Sequence, residues 1–489
     1  MYYVTSAIFW LLPLMALLSL NIGTVYAMDV SEQYGLSSVK DFGAVADGVT
    51  DDSEAIQKAM DEGAGVIWFP RGDYKITGSI IVNLTARGKT VIKGAGSGAR
   101  LINYGDGPAL RLIGSHAGTA LPDTVSDTVW AKESMPLVSE LEIVGSNENA
   151  DGIQLERTFQ VIISRVLVRN CRHGIHAVKR NRNLIVANCH IYNNSGVGIY
   201  LDNLSLHQTN ITGSHISYNG GGGVKVVGGD VFNLQITGND IEYNHAGADS
   251  EANDVWIVAG EGVIQEGAIS GNTIQSTPCR NGANIRIEGP VSAEKKPALL
   301  SIVGNLITNQ TYNIVIRNSR GIIVTGNTFT KGIQQHIKVE NSAQISIGPN
   351  VFDDIPEMGG DAISGISLDE CIACSITGVI LQNPHGGSSG NGGSIQVTRS
   401  SGINVDGCTI LDPKYRGIYF HDVVDSRISN CIILEKRAEK TMRESISESG
   451  KSGHNMIVNN QASKGIDSDI RSEGRGTIVS NNLLGCYAD

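Results

Sequence analysis

The sequence predicts an all-β protein, a right-handed parallel β-helix (solenoid) with an N-terminal capping helix. Three observations carry this. A short apolar strand recurs every 22 to 31 residues, Gly and Asn close the turns, and an amphipathic helix precedes the first repeat. The strand recurs in "ADGIQLE", "RHGIHAV", "GVGIYLD", "GGVKVVG", "NDVWIVA", "ANIRIEG", "YNIVIRN", "QHIKVEN", "SGISLDE", "GSIQVTR" and "RGIYFHD". The inward anchors are Ile153, Ile175, Ile199, Val224, Val255, Ile285, Ile314, Ile337, Ile366, Ile395 and Ile418. One coil cannot bury its own apolar face, so coils must stack about 4.8 Å apart to create a core. Leucine-rich repeats share the period but need a Leu/Asn signature, and these strands are short, β-branched and bounded by Gly/Asn turns. The 59 Gly residues also suit turns, since each costs a helix interior about 1 kcal/mol.

The open end of such a stack exposes unpaired strand edges. The stretch "DDSEAIQKAMDEG" supplies a cover. Asp52 or Ser53 is the expected N-cap, Ala55, Ile56, Ala59 and Met60 form one apolar face, and Gly63 ends the helix. Residues 28–136 then hold the cap and first irregular coils, and residues 137–489 the regular coils, all in one domain. A charged run near residues 434–453 reads as an insertion, a protruding loop or a short solvated helix.

Residues 1–27 read as a signal peptide, with an apolar stretch at 7–20 and small residues Val25 and Ala27 at the cleavage site. No Lys or Arg precedes Lys40, so a retained membrane anchor is the alternative. The expected mature chain is a secreted or periplasmic monomer with no membrane contact. Its net charge of −11 argues against a nucleic-acid partner. Eight Cys residues are compatible with disulfides in that compartment or with small buried side chains stacked in the core. The CxxC at Cys371 and Cys374 has no second pair at zinc-finger spacing.

Strand alternation turns the residue after each anchor outward. One outward column therefore runs Gln154, His176, Tyr200, Lys225, Trp256, Arg286, Val315, Lys338, Ser367, Gln396 and Tyr419. Two residues on lies a second, containing Glu156, Val178, Asp202, Glu288, Arg317, Glu340 and His421. A third, one residue before the anchors, holds Asp254, Asn284, Asn313 and His336. A solvated sheet with ion pairs such as Arg286–Glu288 and Arg317–Glu340 would explain part of this pattern at about 0–1 kcal/mol per pair. The run from His176 to Arg286 mixes proton-transfer groups, cations and an aromatic platform, which suits an anionic glycan.

The stretches "VKDFGAVADGVTDDSEAIQKAM" and "GVIWFPRGDYKITGSI" resemble the N-terminal signature of the pectate-lyase-like β-helix superfamily. That group includes polygalacturonases, polysaccharide lyases, alginate C5-epimerases and phage tailspikes. The resemblance implies this fold and a polysaccharide partner, and it leaves the reaction open. The sequential carboxylate and Gly-His-Gly blocks of the polygalacturonases do not occur here. "GIYLD" is similar to the rung that carries a functional Asp in the epimerases, which points to Asp202. The epimerase Asp-Pro-His-Glu block is replaced by His176, Ala177, Val178 and Lys179.

The reading is of an exported protein acting on a uronic-acid-containing polysaccharide by β-elimination or related C5 proton abstraction. His176, Tyr200, Asp202 and Lys225 are the candidate catalytic residues, and Gln154, Glu156, Trp256, Arg286 and Lys338 the candidate substrate contacts. His176 and Tyr200 would exchange protons while Lys225 or Arg286 neutralises the uronate carboxylate. No cofactor is required for this chemistry. Asp249, Glu251 and Asp254 form a candidate calcium site in a long acidic turn. The alternatives are an inverting glycoside hydrolase and a non-catalytic glycan-binding or adhesion protein. The cluster from Tyr415 to Asp422 is a second candidate site.

Overall fold

A computed structural model describes residues 35–291, 297–353 and 365–486, and the expected signal peptide at 1–27 lies outside them. The chain winds as a right-handed solenoid of parallel strands. Every expected anchor pairs in register with the next, from Ile153 beside Ile175 to Ile395 beside Ile418. The column continues to Leu110 and Ile80 at one end and to Ile446 and Ile470 at the other. From Ile80 to Ile446 these anchors are buried. One continuous aliphatic core results, as stacking requires.

Each regular coil has three sides. One carries the anchors. A second includes Asp230–Thr237 and Ile264–Ser270, paired in parallel. A third is built of three-residue strands, among them His190–Tyr192, His215–Ser217, Asp240–Glu242 and Thr273–Gln275.

The Gly-Asn turns do more than reverse the chain. At Gly238 (φ 67°) and Gly271 (φ 64°) the backbone enters the left-handed region, where Gly carries no Cβ penalty. The following Asn turns inward. Asn239, Asn272, Asn305, Asn327 and Asn350 form a buried ladder, each Nδ2 donating to the next Oδ1 at 2.9–3.1 Å. A second ladder runs Asn194, Asn219 and Asn244, and ends on Asp254. These amides satisfy backbone groups at the corners: Asn219 Nδ2 also donates to the Ile191 carbonyl, and its Oδ1 accepts the Asn194 N–H.

The capping helix is Ser53–Glu62, with Ile56, Ala59 and Met60 buried. Gln57 closes the exposed edge, accepting from the Ile81 N–H and donating to the Ile81 carbonyl. Asp52 occupies the N-cap position without a side-chain capping bond. Its carboxylate instead accepts the Val45 and Ala46 N–H groups and pins the preceding loop.

The expected insertion at 434–453 is corrected in the structure. Ile432–Leu434 and Glu444–Ser449 are ordinary rungs, the latter paired in parallel with Arg416–His421. Its charges had concealed the strand, because Glu444 is fully buried against Arg416, at 2.6 Å. The described cysteines Cys171, Cys189, Cys279, Cys371, Cys374, Cys408 and Cys431 are all buried, free thiols.

The Asn ladder gives a stability prediction. Asn219→Ala removes a fully buried side chain and strands partners on both neighbouring coils, so urea unfolding should show a loss of about 1–3 kcal/mol.

Candidate functional site

The register that builds the core also sets the outward column. His176 lies beside Tyr200, Tyr200 beside Lys225, and Lys225 beside Trp256. The His176 and Tyr200 rings stack at 5.1 Å between centroids with 5° between planes. Asp202, two residues beyond Tyr200 on the same face, is flanked by Val178 and Val227. Neither neighbour offers a partner, and the carboxylate turns to His176, with Oδ2 3.1 Å from Nε2. Burial, aided by the adjacent Asp202 carboxylate, pushes the Tyr200 phenol up to about 12, so it holds its proton at neutral pH.

Burial also lowers the Lys225 ammonium from its ordinary range, with Asp202 opposing the shift. Nζ sits 3.9 Å from the centre of the Trp256 ring. Among the described residues Lys225 belongs to no ion pair. Four of the expected residues are thus one group: His176, Tyr200, Asp202 and Lys225, with Trp256 supporting the cation. Since the ammonium covers one face of the Trp256 ring, the indole serves Lys225 there and does not present that face to a sugar.

A fifth member was not expected. The His173 ring lies 5.3 Å from His176 and 5.2 Å from Tyr200. Its Nδ1 accepts the Val197 N–H at 3.1 Å, and its own N–H donates to Asp151. Burial lowers its pKa to about 4, so the ring is neutral at pH 7 and carries its proton on Nε2. His173 occupies the turn before the strand, where alternation assigns no direction. Its proximity to His176 in "RHGIH" was the available signal.

The other expected contacts stand apart. Gln154 is on the rung before His176, half-buried between Arg111 and His176. Glu156 is buried and paired with Lys179 and Arg111, which hold its carboxyl below the usual range. Arg286 is only 5% exposed, bound to Asn253, Glu288 and the Asn281 carbonyl, so it is a structural arginine. Lys338 lies four rungs past Lys225, paired with Glu340 at 2.8 Å. With Tyr312 and Gln396 it lines a separate cavity of about 500 Å³. The expected cationic stripe is therefore neutralised beyond Trp256.

The third column points inward. Asp254, Asn284, Asn313 and His336 are all buried. A Cβ on the equivalent Gly152 or Gly174 would lie 2.6–2.7 Å from Val168 or Ile191 of the opposite wall. The chain rounds a corner there, and two successive side chains face the core. This also corrects the calcium site. Asp249 and Glu251 are exposed on the turn, with Glu251 bound to Asn281, while Asp254 hydrogen-bonds Asn244 and Asn284 inside. Burial raises Asp254 to about 7, and the three carboxylates do not converge. In the second candidate cluster, Tyr419 and His421 share Ser449 at 3.1 Å each, and Arg416 is committed to Glu444.

Comparison with known proteins agrees with the fold. Residues 36–108 match the family described as "Rhamnogalacturonase A/epimerase, pectate lyase-like", and residues 126–258 match "Right handed beta helix region". Residues 265–484 match "Periplasmic copper-binding protein (NosD)". Alginate lyase 7 of Azotobacter vinelandii is 33% identical over 122 residues, 24% of this chain and 13% of its own length. Mannuronan C5-epimerase AlgE5 of the same organism is 42% identical over 77 residues, 14% of this chain and 8% of its own. The chain thus spans a small part of the curated relatives it matches. Among solved structures, the A-module of A. vinelandii mannuronan C-5 epimerase AlgE4 aligns over 91% of this chain and 99% of its own, at 15% identity and a TM-score of 0.38. Tailspike protein 3 of bacteriophage CBA120 aligns over 93% and 62%, at 14% identity and a TM-score of 0.47. The chain belongs to the pectate-lyase-like right-handed β-helix superfamily.

Proposed function

We propose that the chain acts on an anionic, uronic-acid-containing polysaccharide and abstracts the proton at C5, in β-elimination or a related reaction. The observation that carries this is a cation, a protonated phenol and a carboxylate gathered on adjacent rungs. C5 is weakly acidic, so abstraction needs the neighbouring carboxylate neutralised, a base, and an acid for the leaving oxygen. Lys225, steadied on Trp256, serves the substrate carboxylate. Asp202 is the half-exposed end of the His176–Asp202 pair and receives the proton. Tyr200 supplies the acid. In elimination the C5–H bond breaks toward Asp202 as the C4–C5 double bond forms. The C4–O4 bond breaks and O4 takes the Tyr200 proton. His176, whose Nδ1 is buried, is a positioning residue that aims Asp202.

The names of the alginate lyase and mannuronan epimerase relatives support a uronate substrate. Inverting hydrolysis would need a carboxyl kept protonated. Glu156 is held low by Lys179 and Arg111, and at Glu340 the bonds from Lys338 and Arg317 outweigh the upward push of burial. We place the protein outside the cytoplasm, consistent with the expected signal at 1–27.

Purified protein incubated with pectate, alginate, chondroitin and sulfated algal glycans should release unsaturated uronates from one of them, seen by ultraviolet absorbance and reducing ends together. Tyr200→Phe and Asp202→Asn should each lower kcat/KM by about 10²-fold or more with the fold retained. Reducing ends without absorbance would establish hydrolysis instead. Full activity in both variants would move the site elsewhere, and no product from any glycan would favour a binding protein.

The pH profile is a second test. Lys225 acts as its charged form, and its lowered pKa brings the loss of charge below an ordinary lysine's 10.5 as pH rises. KM should therefore climb on the alkaline side while Tyr200 still holds its proton. Lys225→Arg, always charged, should shift that limb upward, and an unmoved limb would remove Lys225 from the role.

A further inference from the structure

We propose that His215, Asp240 and Glu242 form a site for a borderline divalent cation of the Zn²⁺ class, on a different side of the solenoid from His176 and Tyr200. Strand register builds it. His215 pairs directly with Asp240 on the next rung, and Glu242 projects from the same side of that strand two residues on. His215 Nε2 is 3.2 Å from Glu242 Oε1 and 3.7 Å from Asp240 Oδ2, and one donor atom from each residue lies within 4.8 Å of the others. Tetrahedral ligands about 2.0–2.2 Å from a zinc ion stand roughly 3.3–3.6 Å apart, so little movement is needed to close the site.

Three features distinguish this from an ordinary surface ion pair. A protonated imidazole directs one N–H at one oxygen, whereas both carboxylates converge on His215 Nε2. The far oxygen of Glu242 accepts from Gln275 Nε2 at 2.6 Å, which orients the carboxylate as an outer partner does in metal sites. Asp240 and Glu242 repel each other, and burial together with that repulsion raises Asp240 despite His215. A dication relieves this.

The imidazole donor selects the borderline class over Ca²⁺, which prefers oxygen throughout. His190 stacks edge-on against His215 at 5.7 Å, one rung back, and stands close to the fourth position. A cavity of about 330 Å³ lined by His190, His215 and Asp240 gives access from solvent.

The test uses tag-free protein stripped with EDTA and titrated calorimetrically with Zn²⁺ alone. One tight equivalent is expected, with a rise in the thermal midpoint that an equal concentration of Ca²⁺ does not reproduce. His215→Ala should abolish that equivalent, and Gln275→Ala should weaken it by about tenfold or more, both with unchanged circular dichroism. Unaltered Zn²⁺ binding in His215→Ala, or equal affinity for Ca²⁺, would overturn the site. Glycan turnover by His215→Ala should match the wild type, so this proposal and the uronate reading fail separately.

Discussion

The structure depends on the parallel stacking of one aliphatic column, Ile175 on Ile199 on Val224 and onward in both directions. Each coil is too thin to bury anything alone. Stacking removes both faces of every anchor from water, at roughly 25 cal/mol per Å² of apolar surface. Because the side-chain period is two, a slip of one residue would turn the whole set to solvent. Register is therefore the most tightly specified property of the fold, and the two buried Asn ladders reinforce it at the corners.

Once register is set, the outward side chains have no freedom to choose their neighbours. Tyr200 must stand between His176 and Lys225, and Asp202 between Val178 and Val227. The placing of valines beside Asp202 is as consequential as the polar residues themselves. A basic residue at either position would compete for the carboxylate that now aims at His176. Beyond Trp256 the neighbours do compete: Glu288 and Glu340 take up Arg286, Arg317 and Lys338. The chemistry is confined to a few rungs because only there are the charges unspent on one another.

The same rule makes the second site. On the three-residue strands, His215 and Asp240 share a register position for the reason that His176 and Tyr200 do. A solenoid offers several outward columns on separate sides, so one chain can hold two unrelated constellations without either disturbing the core.

By itself, the sequence determined the fold, the anchors and the main outward column, because these follow from period alone and need no knowledge of partners. It also brought His176, Tyr200, Asp202 and Lys225 into one group, since neighbours along a column are neighbours in space. What only the tertiary structure decided was which charges remain available and which side chains face inward at a corner. Arg286 and Glu156 read as substrate contacts until their partners, Asn253 and Glu288 for one and Lys179 and Arg111 for the other, were in place. Asp254 read as a metal ligand because alternation holds within a strand and fails where the chain bends. His173 and the His215 cluster were missed for related physical reasons: one lies on a turn, and the other joins residues of two short strands that carry too few apolar positions to announce their register.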